Sequence, residues 1–309
     1  MTSPSERQTR SYLMELFERR GFSPRHFLGQ NFLIDVNLVE YVVEKADLSP
    51  EDLVLEVGAG TGGMTTFMSE EAGHVISVEI DPNMYELASE AVATKDNVTM
   101  INTDALKNKN RFSKEVLDLI DAQLKEHPEY RLKLVANLPY AVATPIISNL
   151  VASDYDWKRM VVTIQLELGQ RMEAGPGTSN YGALSVWLQS QCHVKILKRV
   201  SPKVFWPRPK VYSAIVQLTP NPGAAKKIKD RSFFQDFVRR LFHQRRKLMR
   251  SVLAGMYRKE LTKSDIDLLL DGMQIDPKVR AEQLEVSTLV ELSNRFYAAV
   301  MAARAVESE

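Results

Sequence analysis

The sequence predicts an α/β fold with a mostly parallel, Rossmann-like sheet, followed by a small all-helical domain. Three observations carry this. Short apolar strands alternate with helical stretches from Leu53 to Ile164. Two later strands, Val194–Val200 and Val211–Leu218, follow one another with only a proline-rich loop between them. Beyond Asn221 the apolar residues recur at helical spacing.

Residues 1–25 read as a leader with one or two amphipathic turns built on Tyr12, Leu13, Leu16 and Phe17. The strands then fall at Leu53–Val57, Val75–Glu79, Val98–Asn102, Leu132–Ala136 and Met160–Ile164, with helices such as Asn83–Val92 and Pro145–Val151 between them. Such alternation implies parallel strands covered by helices on both faces. The last two strands lack an intervening helix, so they are expected to form an antiparallel hairpin. The charged stretch Lys107–Glu129 reads as a helix with a surface loop. Asn221-Pro-Gly-Ala-Ala is a turn-rich break, which sets the expected domains at 1–220 and 221–309. In the second domain Phe234, Phe237, Val238, Leu241, Leu248 and Val252 form one apolar stripe, with Arg239, His243, Arg246, Lys247 and Arg250 on the other side. Leu289–Ala305 reads as the last helix.

Composition narrows the chemistry. The chain has 309 residues, comfortable for two domains, and its 44% hydrophobic content suits a real core. One cysteine, Cys192, excludes an internal disulfide and a multi-cysteine zinc site, and reads as a small buried hydrophobe. The five histidines (26, 74, 127, 193, 243) lack metal-ligand spacing, so no metal is expected. No apolar run approaches a membrane span, and no signal-peptide segment is evident, so a cytoplasmic protein is expected. Net charge is only +1, but Lys226–Lys259 holds 12 Lys or Arg against Asp230 and Asp236, a local +10. Such a block is either an electrostatic footprint for phosphates or a solvated helix face.

Glu56-Val-Gly58-Ala-Gly60-Thr-Gly62-Gly63 follows the first buried strand. Glycines there let the backbone turn tightly and approach a ligand. Glu79 ends the next strand, where a carboxylate can accept both ribose hydroxyls, and Asp104 follows the third, where it can accept from an adenine amine. Gly58, Gly60 and Gly63 also satisfy the dinucleotide pattern, so this loop alone leaves an NAD-dependent oxidoreductase open.

Asn137-Leu138-Pro139-Tyr140 sits at the end of the fourth strand. Adenine N6 is a poor nucleophile, because its lone pair is delocalised into the ring. Two acceptors for its hydrogens, the Asn137 side chain and the Leu138 or Pro139 carbonyl, favour a pyramidal nitrogen. Pro139 stiffens the turn and Tyr140 can stack on the base. With a sulfonium methyl donor no strong general base is needed, so positioning dominates. Upstream, His26-Phe-Leu-Gly-Gln30-Asn31-Phe32-Leu33 can fold over the cofactor as a lid. Phe205, in Val204-Phe-Trp-Pro-Arg-Pro-Lys210, either covers the other face of an extruded base or serves with Trp206 as a loop anchor.

A parallel sheet ending in an antiparallel hairpin is the pattern of class I methyltransferases. Gly29-Gln-Asn-Phe-Leu33, Glu56-Val-Gly-Ala-Gly60, Val78-Glu-Ile-Asp81, Asp104-Ala105, Asn137–Tyr140, Tyr181-Gly-Ala-Leu-Ser-Val186, Phe205-x-Pro-x-Pro-Lys-Val211 and Gln244-Arg-Arg-Lys247 occur in order. Together they resemble the small-subunit ribosomal RNA adenine dimethyltransferases of the KsgA type, over residues 25 to 285. The resemblance implies a class I domain and a helical C-terminal domain. It also implies S-adenosylmethionine as methyl donor and N6-dimethylation of two adjacent adenosines near the 3′ end of small-subunit rRNA during subunit assembly, with the chain a monomer. Carried over, cofactor contacts fall on Asn31, Leu33, Gly58, Gly60, Glu79, Asp104 and Asn137. Target-base contacts fall on Asn137, Leu138, Pro139, Tyr140 and Phe205. The RNA contacts expected of the basic helix are Arg239, Arg245, Arg246, Lys247 and Arg250. Ala141 and Tyr212 depart from the Asn and Asp common in the family, and Lys107–Tyr130 is longer than typical. A large-subunit rRNA adenine methyltransferase of the macrolide-resistance type is the alternative, disfavoured by the Phe205 loop and Gln244–Lys247. A mitochondrial-type member doubling as a transcription factor, and a non-catalytic RNA-binding assembly factor, are further alternatives.

Overall fold

The computed structural model of the protein describes residues 8–25, 28–109 and 111–307. A seven-stranded sheet organises the first part. Its strands in chain order are β1 (Asp52–Val57), β2 (His74–Glu79), β3 (Val98–Asn102), β4 (Arg131–Asn137), β5 (Trp157–Gln165), β6 (Cys192–Val200) and β7 (Ser213–Pro220). They lie in the order β3-β2-β1-β4-β5-β7-β6. The pairs β2–β3, β1–β2, β1–β4 and β4–β5 are parallel, and β7 runs antiparallel to β5. Central strands covered on both faces are near-continuously apolar. Leu53, Val54 and Leu55 of β1 and Leu134, Val135 and Ala136 of β4 are accordingly fully buried.

Sequence chemistry sets the crossovers. The helix Pro82–Ala91 starts with proline in its first turn, and the Asp81 side chain accepts from the amide of Asn83. Ser113 caps Lys114–Glu126 in the same way. The helix Arg10–Arg20 spans about three turns rather than one or two, and buries Leu13 and Phe17 against Phe32, Met84 and Leu87. The last strand begins at Ser213 rather than Val211, since Val211 and Tyr212 are exposed.

The sheet winds outward in both directions from β1 and β4, so the strand order reverses between them. A crevice opens at the carboxyl ends of the strands at such a switch point. Those ends carry the glycine loop and the Asn137–Tyr140 turn.

Two compact units emerge, and the chain crosses between them three times. The first comprises residues through Gly169 together with Lys195–Thr219; the second comprises Gln170–Val194 and Pro220 onward. The second is thus built from more than the segment after Asn221. Its helices Arg231–His243, Met249–Met256, Lys263–Asp271 and Val286–Glu307 surround Phe234, Phe237, Tyr257 and Phe296. The apolar stripe expected to run to Val252 as one helix is broken: the first helix ends at His243, and the next begins at Met249. No helix among the described residues is long and apolar enough to cross a membrane.

Candidate active site

A cleft open to solvent lies at the switch point. Its wall brings together Asn31, Gly58, Gly60, Glu79, Asp104, Asn137, Leu138, Pro139 and Tyr140. The glycine loop and the tetrapeptide, distant in the chain, meet here because β1 and β4 are neighbours, and the Asn31 segment joins them through its hydrogen bond from Asn137.

The glycine loop requires glycine for two separate reasons. Gly58 has φ +86° and Gly60 φ +58°, a region costly for residues with a Cβ. A Cβ on Gly58 would also stand 3.1 Å from Cδ of Pro139, and one on Gly60 3.1 Å from the Phe32 ring. The loop therefore seats directly on the proline of the tetrapeptide.

Glu79 is 5% exposed, and its carboxylate accepts from the amides of Gly60 (2.8 Å) and Asp81 (2.9 Å). Burial raises its pKa, opposed by those two amides. Asp104 is exposed, and one of its oxygens accepts from the Leu106 amide at 2.9 Å. The Asn137 Nδ2 donates to the backbone carbonyl of Asn31 at 2.9 Å, while the Asn31 side chain donates to the Gly29 carbonyl at 3.0 Å. Leu138 is buried, and its amide donates to the Thr163 carbonyl at 3.1 Å. The Pro139 carbonyl accepts from Val142 at 3.0 Å. The Tyr140 hydroxyl lies 2.7 Å from the Ser213 hydroxyl, and burial raises the phenol's pKa.

Two expected site residues lie elsewhere. Leu33 lines an adjoining recess under the glycine loop with Glu56, Met64 and Asn137, not the main cleft. Phe205 is 3% exposed and packs in the core with Leu33, Val39, Val42 and Ile215. The cause is a two-residue antiparallel ladder, Phe32 opposite Trp206 and Leu33 opposite Phe205. Alternate side chains of a strand face opposite ways. Phe205 therefore points into the core, and Trp206 joins Phe17 and Phe32 in a separate aromatic cluster. Of its two sequence readings, anchor and base cover, Phe205 occupies the anchor position. His26 and Phe27, the start of the expected lid, lie outside the described residues.

The basic residues sort by partner. Arg245 donates to the carbonyls of Ser179 (3.0 Å) and Tyr181 (3.2 Å) and pairs with Glu282 (3.3 Å). Arg250 grips Asp267 through both ends of its guanidinium, and Arg239 pairs with Asp236 at 2.6 Å. Arg246 and Lys247 are exposed and form no ion pair among the described residues. Gln244–Lys247 is the turn between two helices, not part of a helix.

Sequence reading gave no specific contact to five contributors. Gln30 donates to Asp81 at 2.7 Å, tying the segment before Asn31 to the cap that follows Glu79. Ser213 holds Tyr140. The Gln8 amide donates to the Thr61 carbonyl at 2.8 Å. Glu56 is 1% exposed beneath the glycine loop, accepts from Thr65 and Ser77 at 2.6 Å each, and has its pKa pushed up to about 7 by burial. Gln30, Asp81 and Glu56 sit inside recognisable motifs, which was a signal; Ser213 and Gln8 gave none.

This sheet order and switch-point cleft define a class I methyltransferase. Solved structures share the fold: a dimethyladenosine transferase from Plasmodium falciparum superposes with TM-score 0.73 at 23% identity, covering 86% of this chain and 97% of that one. The 23S rRNA methyltransferase ErmE gives 0.61 at 22% identity, covering 86% and 99%. In sequence, residues 21–296 match the ribosomal RNA adenine dimethylase family model. The ribosomal RNA small subunit methyltransferase A of Pediococcus pentosaceus is 42% identical, over 91% of this chain and 92% of its own. That of Lactiplantibacillus plantarum is 38% identical, over 90% and 92%. The chain belongs to the ribosomal RNA adenine dimethylase family.

Proposed function

We propose that the protein transfers methyl groups from S-adenosylmethionine to N6 of two adjacent adenosines near the 3′ end of small-subunit rRNA, twice each, during subunit assembly in the cytoplasm. The observation that carries this reading is the fixed orientation of Asn137. Its amide nitrogen is spent on the Asn31 carbonyl, so Oδ1 is the end left to accept a hydrogen from N6. The Pro139 carbonyl already serves Val142, which leaves the Leu138 carbonyl as the freer second acceptor. Tyr140, held by Ser213, supplies the stacking face for the extruded base.

The cradle suits the cofactor. Glu79 presents a buried carboxylate for the ribose hydroxyls, Asp104 keeps one oxygen for the adenine amine, and Gly58 and Gly60 leave the space that side chains would fill. When bound, S-adenosylmethionine supplies an electrophilic methyl on a sulfonium, whose charge is neutralised in transfer. The protein's residues orient N6 and polarise its N–H bonds. The proton lost afterward needs no strong base, because an alkylated amine is acidic. Catalysis on this account is mainly positioning and placed acceptors. Arg246 and Lys247 contact rRNA phosphates, while Arg245 and Arg250 shape the surface that bears them.

Labelled S-adenosylmethionine and unmethylated small subunits test the reading. Label is expected in the 3′-terminal rRNA segment as dimethyladenosine. Asn137→Ala should cut transfer by about a hundredfold or more, as for loss of a placed donor or acceptor, while RNA still binds. Label confined to large-subunit RNA would refute the assignment.

A further inference from the structure

From Ala174 to Lys229 the chain contains no aspartate or glutamate. Within that stretch Lys195, Lys198, Arg199, Lys203, Arg208 and Lys210 are all exposed, and none forms an ion pair among the described residues. They fall on consecutive structure: the edge strand β6, the short turn Pro202–Val204, and the proline-rich loop before β7. Here also stand two exposed apolar side chains, Val211 at 44% and Tyr212 at 46%. The Arg199 guanidinium lies over the Tyr212 ring, 4.1 Å from its centroid. The Tyr212 carbonyl accepts from Leu166 at 2.9 Å, which fixes its backbone. The next residue, Ser213, holds the Tyr140 hydroxyl of the cleft at 2.7 Å.

Lysines on an edge strand also deter sheet-to-sheet pairing. That accounts for Lys195 and Lys198. It does not account for Lys203, Arg208 and Lys210, which lie off the strand, nor for an exposed tyrosine stacked under an arginine. A planar cation on an aromatic face is suited to unpaired nucleotides, because it offers a stacking platform and a phosphate partner together. A segment without carboxylates of its own, whose cations form no ion pair among the described residues, leaves those charges to act on an external polyanion.

We infer that this strip is an RNA-docking surface of the catalytic unit. Its occupant is the single-stranded RNA that flanks the target adenosine, with one flanking base stacked on the Arg199–Tyr212 pair. The inference rests on the RNA substrate proposed above. The strip leads to the cleft through one covalent step, Tyr212 to Ser213, and one hydrogen bond, Ser213 to Tyr140. It extends the RNA contact beyond the second unit's basic turn, and it gives Tyr212 a role as a stacking residue.

The test uses the full chain and a transcript of the 3′ part of small-subunit rRNA, with binding measured across salt. Replacing Arg199→Gln and Lys210→Gln together should flatten the slope of log affinity against log salt by about 1.4, or about 0.7 per lost single-strand phosphate contact. Tyr212→Ala should weaken binding about tenfold without changing the slope, and Tyr212→Phe should restore it, since stacking needs the ring and not the hydroxyl. In methyl transfer these changes should raise KM for RNA and leave kcat and S-adenosylmethionine affinity unchanged. Wild-type affinity and slope in all three variants would overturn the inference. So would Gln variants that aggregate but bind RNA normally while soluble, an outcome assigning the charges to protection of the strand edge. Binding that depends on Arg199 and Tyr212, alongside wild-type protein that methylates no small-subunit RNA, would instead defeat the proposed function and leave the docking surface standing.

Discussion

Single residues divide here into those that face the cleft and those that hold them. Asn137, Glu79 and Tyr140 face it; Asn31 fixes Asn137, Gly60 and Asp81 fix Glu79, and Ser213 fixes Tyr140. Glu56 belongs to the second kind and carries a pH signature. Burial, the largest cause, lifts its pKa to about 7, and the nearby charge of Glu79 adds to the lift while Thr65 and Ser77 oppose it. Between the ordinary carboxylate value of 4.5 and about 7 the folded protein retains a proton that the unfolded chain has released. Stability therefore falls as pH rises through that window, by on the order of 3 kcal/mol at most. Glu56→Gln removes the titration and keeps an oxygen for the two hydroxyls. Denaturant unfolding at pH 5 and pH 8 should show the variant gaining on the wild type at the higher pH; a difference independent of pH would rule this account out.

At the scale of elements, the β-α alternation was legible because buried parallel strands are near-continuously apolar, as at Leu53, Val54 and Leu55 and at Leu134, Val135 and Ala136, with Glu56 and Lys133 the buried charged exceptions beside them. The cleft followed, since the ends of adjacent strands carry the motifs. Contacts made by side chains across chain-distant segments were not legible. No local pattern tells that Ser213 reaches Tyr140, or that a two-residue ladder turns Phe205 inward. The basic segment shows the same limit. Its charges are visible in sequence, but not which of them are already bonded. Arg245 supports the backbone at Ser179 and Tyr181, so Arg245→Ala should cost about 1–2 kcal/mol, allowing for its partial exposure. That is a fall of a few degrees in melting temperature. Arg246→Gln and Lys247→Gln should leave stability within about 0.5 kcal/mol while each flattens the salt dependence of RNA binding. Calorimetry and filter binding on the same variants separate the two roles. Equal stability loss at all three positions would place Arg246 and Lys247 in the fold rather than at the RNA.

For the whole molecule, the organisation turns on Gln170–Val194. Sequence punctuation placed one boundary at Asn221, because Pro and Gly mark turns, while helix Ala183–Gln189 carries no sign of which core it serves. The structure puts this segment in the second unit. Tyr181 is fully buried there, its hydroxyl donates to the Leu284 carbonyl at 2.9 Å, and its ring meets Phe242 edge-on with centroids 5.7 Å apart. Trp187 lies against Phe234, and Arg245 is anchored on the same segment. A fragment of residues 220–309 would lose all of these at once. Each large core side chain removed costs about 3–5 kcal/mol, and a unit of this size holds roughly 5–15 kcal/mol in total. The fragment should therefore be largely helical but melt without a cooperative transition. Fusing residues 170–194 to it through a flexible linker should restore a cooperative melt, and Tyr181→Ala in the fusion should abolish that recovery. A sharp calorimetric transition in the 220–309 fragment alone would show that the helices after Asn221 form a self-sufficient core, and that Tyr181 and Trp187 merely cover it.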